Sequence, residues 1–147
     1  MIPITTSLWL NENTVLEIGK FTVLWNIFEC TKCANNCSEQ KLITIGENCQ
    51  TSEPWQYFAH ILQKRATTQN CDIDSYVRYR LSLGNGSQHL DKIIRFIDSD
   101  GETELCGGLL AMFRIRNNMF HGLKEYKDLD SQIQLFNAMN RLLEHLL

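Results

Sequence analysis

The apolar residues of this chain recur at helical spacing, in segments separated by loops rich in Asn, Gly, Ser and Thr. The most apolar segment runs from Thr14 to Glu29. One side of it carries Val15, Ile18, Phe21, Thr22, Trp25 and Phe28, and much of the rest is covered by Val23, Leu24 and Ile27. Because a helix that is apolar on two faces needs two neighbours, we expect a central helix of a bundle, or a helix that packs on its own bundle and on a second subunit.

Further helices are predicted along the middle of the chain. Ser52 offers a cap for a helix that ends near Arg65, and Asp72 or Asp74 starts another that ends before Gly84, Asn85 and Gly86. Ser87 caps a third helix, which stops at the turn signal 98–101. The apolar stripe of that third helix consists of Leu90, Ile93, Ile94 and Ile97.

Two helices complete the chain. The first starts near Glu102 and continues its stripe through Leu109 and Met112 to Phe120, and the last begins among residues 128–131 and runs to the end. Residues 30–51 are predicted to be mostly connection, with a short element around Leu42, Ile43 and Ile45. We therefore predict an all-α fold, a compact bundle of five or six helices in a single domain over residues 1–147.

Charge and hydropathy exclude several classes of protein. With 14 basic and 17 acidic residues the net charge is −3, so no global positive field holds nucleic acid, and any such contact must be local. At 44% apolar residues the chain is too hydrophobic to be disordered as a whole. The stretch 21–28 is far shorter than the roughly 20 residues of a membrane span, and the N-terminus lacks the basic region of a secretory signal. We expect a cytoplasmic protein without membrane contact.

The six cysteines are predicted to be free thiols, because a reducing compartment disfavours disulfides. Cys30, Cys33, Cys37 and Cys49 include one metal-like pair. They lack the second close pair that makes a zinc signal specific. We therefore predict no metal and no cofactor, with zinc at these cysteines as the alternative.

The stretch from Arg116 to Gly122 carries the most chemistry. Another turn of the predicted stripe reaches Arg116 and Asn117, which places a guanidinium at a packing position. Asn117 and His121 share a helix face, whereas Arg116 and His121 diverge by about 140° on an ideal helix. Since Gly122 suits the left-handed position past a helix end, His121 can swing toward Arg116 where the backbone unwinds. Alternatively, the two side chains meet across a two-fold axis.

The run of Arg116, Asn117, two variable residues, Phe120, His121 and Gly122 resembles the signature of HEPN domains, a family of small helical nucleotide-binding bundles. That signature is an Arg, four to six residues and a His, commonly with a polar residue directly after the Arg. Phe21, Trp25, Asn26 and Glu29 are similar to the aromatic and acidic first core helix of several branches of the family. The resemblance touches two helices and, through helix number and length, loosely covers the chain.

The resemblance implies a metal-independent endoribonuclease that acts as a homodimer, with Arg116 and His121 catalytic and Asn117 in support. Imidazole, with an ordinary pKa of about 6.5, can accept a proton from a ribose 2′-hydroxyl or give one to the leaving 5′-oxygen. Guanidinium presents a planar fork of donors to phosphate oxygens. The family also implies an RNA substrate, and for many members a role as a toxin with a cognate antitoxin, or as an antiviral abortive-infection effector.

Polar residues around the motif are predicted to bind RNA, namely Arg114, Asn118, Lys124 and Lys127. Several alternatives stay open. Arg116 could pair with Glu17 or Glu29, His121 could be a helix-end cation, and Asn117 and Asn118 could be ordinary helix-end residues. For the whole chain, the alternatives are a HEPN-like dimer that binds a nucleotide, RNA or protein without cleaving it, and a purely structural helical protein. Trp25 and Trp55 are expected in the core.

Overall fold

Helices dominate the computed structural model, which describes residues 2–5, 8–81, 89–118 and 132–147. Two short strands, β1 (Ile2–Thr5) and β2 (Leu8–Leu10), pair antiparallel ahead of the first helix. The helices are α1 (Glu12–Lys32), α2 (Glu39–Glu47), α3 (Glu53–Thr68), α4 (Ile73–Ser75), which continues as a π-helical segment (Tyr76–Leu81), α5 (Leu90–Asp98), α6 (Leu105–Asn118) and α7 (Ile133–Leu146).

The predicted all-α bundle is confirmed: the described residues form seven helices, where five or six were expected, and a small hairpin that the helical pattern did not predict. One of these helices, α2, lies in the segment predicted to be mostly connection and contains the short element expected around Leu42, Ile43 and Ile45. Ser38 caps α2 by accepting from the amide of Lys41, and Leu42 and Ile43 are buried on its inner side. Among the described residues, no helix combines the length and the apolar character needed to cross a bilayer.

The central helix of the bundle is α6 rather than α1. It packs on α2 along one side and on α5 along another, while α1 packs mainly on α7, and α7 also packs on α3. Every residue of α6 from Leu105 to Met112 is buried, and the buried side chains of all the helices form one continuous core. Of the two alternatives predicted for α1, the central position in the bundle is therefore not the one that the structure has.

Only the inner face of α1 joins this core. Phe21 lies edge-on to Phe136 of α7, with ring centroids 5.7 Å apart, and Trp25 stacks 6.2 Å from Phe113 of α6. Both Trp25 and Trp55 are buried, as expected. The outer face of α1 leaves three large apolar side chains exposed: Leu16 (62%), Val23 (58%) and Ile27 (43%).

Helix starts agree with the sequence in some places and not in others. Asp72 accepts from the amide of Ser75 and begins α4, as one of the two predicted caps. Ser52 stands at the cap position of α3, but its hydroxyl makes no capping bond and lies 3.1 Å from Nε2 of His145 instead. The capping rule therefore located the start of α3, but the Ser52 hydroxyl bonds to His145, far away in sequence, instead of to the first amides of the helix.

The cysteine prediction is wrong at Cys33 and Cys37, which form a disulfide. Ala34 and Asn35 have positive φ just after α1 and reverse the chain, so the two Cα atoms come within 4.9 Å, a separation that a disulfide spans. The other four cysteines are free. Over the described ranges, no three or more His, Cys, Asp or Glu side chains are grouped to hold a metal ion.

A buried amide fastens α1 to α7. Asn140 is fully buried, and its Nδ2 donates to the backbone oxygen of Glu17 at 3.0 Å and to the Glu17 carboxylate at 2.7 Å. A hydrogen bond to a charged acceptor in a buried setting is stronger than a neutral one. Asn140 therefore stabilises the pairing of these helices.

The crossing of α5 and α6 depends on a residue without a side chain. A Cβ on Gly107 would overlap the backbone carbonyl of Lys92 and press on Phe96. We expect Gly107→Ala to lower the free energy of unfolding by about 1–3 kcal/mol, because the helices must separate to accommodate it. Urea unfolding measures this.

The matched control is Gly19→Ala in α1, where the added Cβ meets nothing within 4 Å. This change should raise stability by about 0.5–1 kcal/mol through the better helix propensity of Ala. Equal effects of the two substitutions would contradict the close approach of α5 and α6.

Candidate nucleic-acid interface

The last turn of α6 is where the central helix leaves the core. Ile115 is its last buried residue, and Arg116 and Asn117 are both exposed. The expectation that Arg116 stands at a packing position is therefore wrong. The buried stripe reaches Ile115 by a three-residue step from Met112, so the guanidinium turns outward.

The exposed guanidinium of Arg116 is held by its neighbour. Its Nη1 donates to Oδ1 of Asn117 at 3.1 Å. Neither of the two carboxylates proposed as partners reaches it, because Glu17 binds Asn140 and Glu29 accepts from the amide of Cys37. Within the part of the chain that the structure describes, no carboxylate forms an ion pair with Arg116. Arg116 therefore carries an exposed positive charge that no described carboxylate balances.

Arg114 lies in a different setting. It is only 19% exposed, and its guanidinium is 3.8 Å from the carboxylate of Glu39 at the start of α2. One oxygen of Glu39, Oε2, is buried without a hydrogen-bond partner among the described residues. The pair joins α6 to α2, so the RNA-binding role predicted for Arg114 competes with a structural one.

Asn118 connects the end of α6 to the π-helical segment. Its Nδ2 donates at 3.0 Å to the backbone oxygen of Leu81, which lies 37 residues away in sequence. Its amide is thus partly engaged within the protein. The bond also places the end of the π-helical segment beside the exposed turn that carries Arg116 and Asn117.

The π-helical segment presents residues that the sequence analysis did not select. Tyr76, Val77 and Leu81 face the core, and Tyr79 and Arg80 are exposed. π-Helical turns are rare in proteins, and those that do occur are frequently found at functional sites. The signal available in the sequence was the run Arg78, Tyr79, Arg80, in which an aromatic residue stands between two arginines.

Tyr76 anchors that segment to α3. Its hydroxyl accepts from Nε of Arg65 at 3.3 Å. Burial raises the pKa of Tyr76, and the nearby Arg65 acts in the opposite direction, so the phenol stays neutral and hydrogen-bonded. Arg65 also lines a groove of about 280 Å³ between α3 and α7, together with Lys64 and Gln134. Basic side chains thus continue from the π-helical segment onto α3.

His121, Lys124 and Lys127 lie outside the described residues, as do the predicted start signals at Ser87 and 128–131. The convergence of His121 on Arg116 therefore stays a prediction. Of the predicted site residues, the structure places Arg116, Asn117 and Asn118 together in the last turn of α6, and the bond from Asn118 to Leu81 holds the end of the π-helical segment beside that turn.

The chain matches no protein-family model, no curated protein and no solved structure. The resemblance to the HEPN family accordingly depends on the motif residues and the helical architecture alone.

The Asn118 bond should be measurable as local stability. We expect Asn118→Ala to lower the free energy of unfolding by about 0.5–1.5 kcal/mol, since the backbone oxygen of Leu81 loses its donor. Amide exchange in Tyr76–Leu81 should become faster. Asn117→Ala is the matched control, because Asn117 is exposed and, among the described residues, its side chain bonds only to its neighbour Arg116. Identical exchange in the two variants would mean that Asn118 does not hold the segment.

Proposed function

We propose that this chain is a metal-independent endoribonuclease of the HEPN type that acts as a homodimer. The observation that carries the proposal is the end of α6, where an exposed guanidinium is steadied by an adjacent amide and pairs with no described carboxylate. A purely structural arginine would be expected to lie in an ion pair or against the core. An exposed fork of donors instead suits the oxygens of a phosphodiester.

In the proposed reaction the ribose 2′-oxygen attacks the adjacent phosphorus. The 2′-hydroxyl loses its proton to a base, the bond from phosphorus to the 5′-oxygen breaks, and the leaving oxygen takes a proton from an acid. His121 supplies the imidazole for these transfers, one from each subunit. Arg116 stabilises the charge that grows on the phosphate oxygens, and Asn117 orients the guanidinium. The products are a 2′,3′-cyclic phosphate and a free 5′-hydroxyl, and DNA is not a substrate because it lacks the nucleophile.

The outer face of α1 supports the homodimer. Leu16, Val23 and Ile27 lie along one stripe of the helix, spaced at seven and four residues, and all three are exposed. Exposed apolar side chains in one stripe are typical of a surface that packs on another chain. A second copy of the chain on this face matches one of the two alternatives predicted from the apolar faces of α1, in which the helix packs on its own bundle and on a second subunit.

Val23→Glu tests this face. The buried charge should shift the protein from dimer to monomer in light scattering, with loss of RNA cleavage if both subunits complete the site. Thr22→Glu is the control, because Thr22 is exposed on the same helix but about 100° away from Val23. A Val23→Glu protein that stays dimeric would exclude this face as the subunit contact.

Cleavage itself is tested with purified protein and RNA in EDTA. We expect Arg116→Ala and His121→Ala each to reduce cleavage by about 10²–10⁴-fold without a large change in melting temperature. Arg116→Lys keeps the charge but loses the fork, so it should recover little activity. Arg95→Ala, which removes an exposed arginine of α5 that pairs with Glu104 ahead of α6, should cleave like the wild type.

The chemistry of the RNA products, and the behaviour of a protein that does not cleave, distinguish the nuclease from a binding module and from a structural protein. RNA fragments should end in a cyclic phosphate, and a single 2′-deoxy substitution at the cut site should stop cleavage there. A wild type that binds RNA without cleaving it would support the non-catalytic module instead. Variants that change only the melting temperature would support a structural protein.

The proposal extends to a biological setting. A ribonuclease of this kind acts on cytoplasmic RNA as a toxin or as an antiviral abortive-infection effector. Such an activity requires restraint in the healthy cell, and a cognate antitoxin protein is the partner that would provide it. The motif at the end of α6 is the part of the molecule that such a partner would have to cover or modify.

A further inference from the structure

We propose that Tyr79 and Arg80 form a nucleotide-binding platform, in which Tyr79 stacks on an unpaired RNA base and Arg80 binds the phosphate beside it. We call this surface the Tyr79 platform. It deepens the proposed function, on which it rests, by naming where the RNA is held beside the Arg116 motif.

The inner side of the π-helical segment is firmly anchored. Tyr76, Val77 and Leu81 are buried, and the hydroxyl of Tyr76 and the backbone oxygen of Leu81 accept hydrogen bonds from Arg65 and Asn118. Val77 and Leu81 are both buried and stand four residues apart, and the three residues between them face outward. A surface held this way is preorganised, so a ligand does not have to order it on binding.

Tyr79 is unusually exposed for an aromatic residue. Its side chain is 74% exposed, and it is the one aromatic among the large apolar side chains that the described residues leave exposed. Tyr57 differs, because the guanidinium of Arg141 covers its ring at 4.4 Å. An open aromatic face is the feature that single-stranded nucleic acid uses for stacking, whatever the base.

The two arginines beside Tyr79 differ in their charge environment. Arg78 donates to Asp74 at 2.7 Å and lies 3.7 Å from Asp91, so its charge is balanced and it fixes the outer edge of the segment. Arg80 is exposed and forms no ion pair with the residues that the structure describes. Arg80 is therefore the charge available to a phosphate next to the stacked base.

The position of the platform fits RNA better than a protein partner. Asn118 holds Leu81 against the end of α6, so the segment that carries Tyr79 and Arg80 ends beside the turn that carries Arg116 and Asn117. The neighbours of Tyr79 in the segment expose charge rather than apolar surface, and protein docking would need a larger apolar patch. A single exposed ring beside a guanidinium that pairs with no described carboxylate suits one nucleotide.

The test measures binding separately from cleavage. A short 2′-O-methyl oligoribonucleotide, which has no free 2′-hydroxyl and cannot be cut by the proposed reaction, is titrated with the full chain and followed by fluorescence anisotropy. Tyr79→Ala should weaken binding by about 5- to 100-fold, whereas Tyr79→Phe keeps the ring and should stay within about twofold of the wild type. Arg80→Ala should weaken binding and reduce the salt dependence by about one released ion.

Two controls show that the loss is stacking. Arg95→Ala removes an exposed arginine elsewhere and should bind like the wild type. An oligonucleotide with abasic positions should bind the wild type and Tyr79→Ala equally, because the base that Tyr79 would stack on is gone. Melting temperatures within a few degrees of the wild type exclude unfolding as the cause.

The outcomes separate the platform from the nuclease. Equal binding of the probe by the wild type and Tyr79→Ala, or no binding by the wild type, overturns the platform even if the wild type cleaves RNA. A change in the oligomeric mass of the Tyr79→Ala protein identifies Tyr79 as a subunit contact and also overturns the platform. Binding that depends on Tyr79 in a protein that cleaves no RNA supports the platform and refutes the nuclease.

Discussion

The close approach of α6 to its neighbours is the constraint on which the rest of this bundle depends. Gly107 lets the backbone of α6 touch α5 at Lys92, and Gly46 lets α2 approach α6 at the backbone of Cys106. With neighbours this near, α6 is buried over its whole surface as far as Met112. Polar side chains on this helix reach solvent only where it leaves the core, and that place is the last turn, with Arg116 and Asn117.

The electrostatics of that turn suit an anion. The free carbonyls at a helix C-terminus favour a nearby cation, so Arg116 stabilises α6 while its guanidinium stays open to solvent. The protein as a whole carries a net charge of −3, so the RNA binding that we propose would depend on a local group of cations. Arg80 is the cation that we propose to add to that group, since the bond between Asn118 and Leu81 holds the end of its segment beside α6.

The two faces of α1 illustrate how a pattern can be right and its explanation incomplete. Its inner face carries Phe21 and Trp25 into the core, against α7 and α6. Its outer face is apolar but has no covering helix among the described residues, which leaves the second subunit as the occupant that we propose. The spacing of apolar residues shows which faces of a helix are apolar, but it does not show what covers those faces.

By itself, the sequence determined the helical class, most helix positions and the place of Arg116 and Asn117 near the end of α6, because the spacing of apolar residues and the capping residues act within a few positions of the chain. Tertiary structure alone decided the partners. The bonds from Ser52 to His145 and from Asn118 to Leu81, and the ion pair between Arg114 and Glu39, join residues far apart in sequence. Such pairs depend on how helices pack, and packing is a property of the assembled core that no local pattern contains.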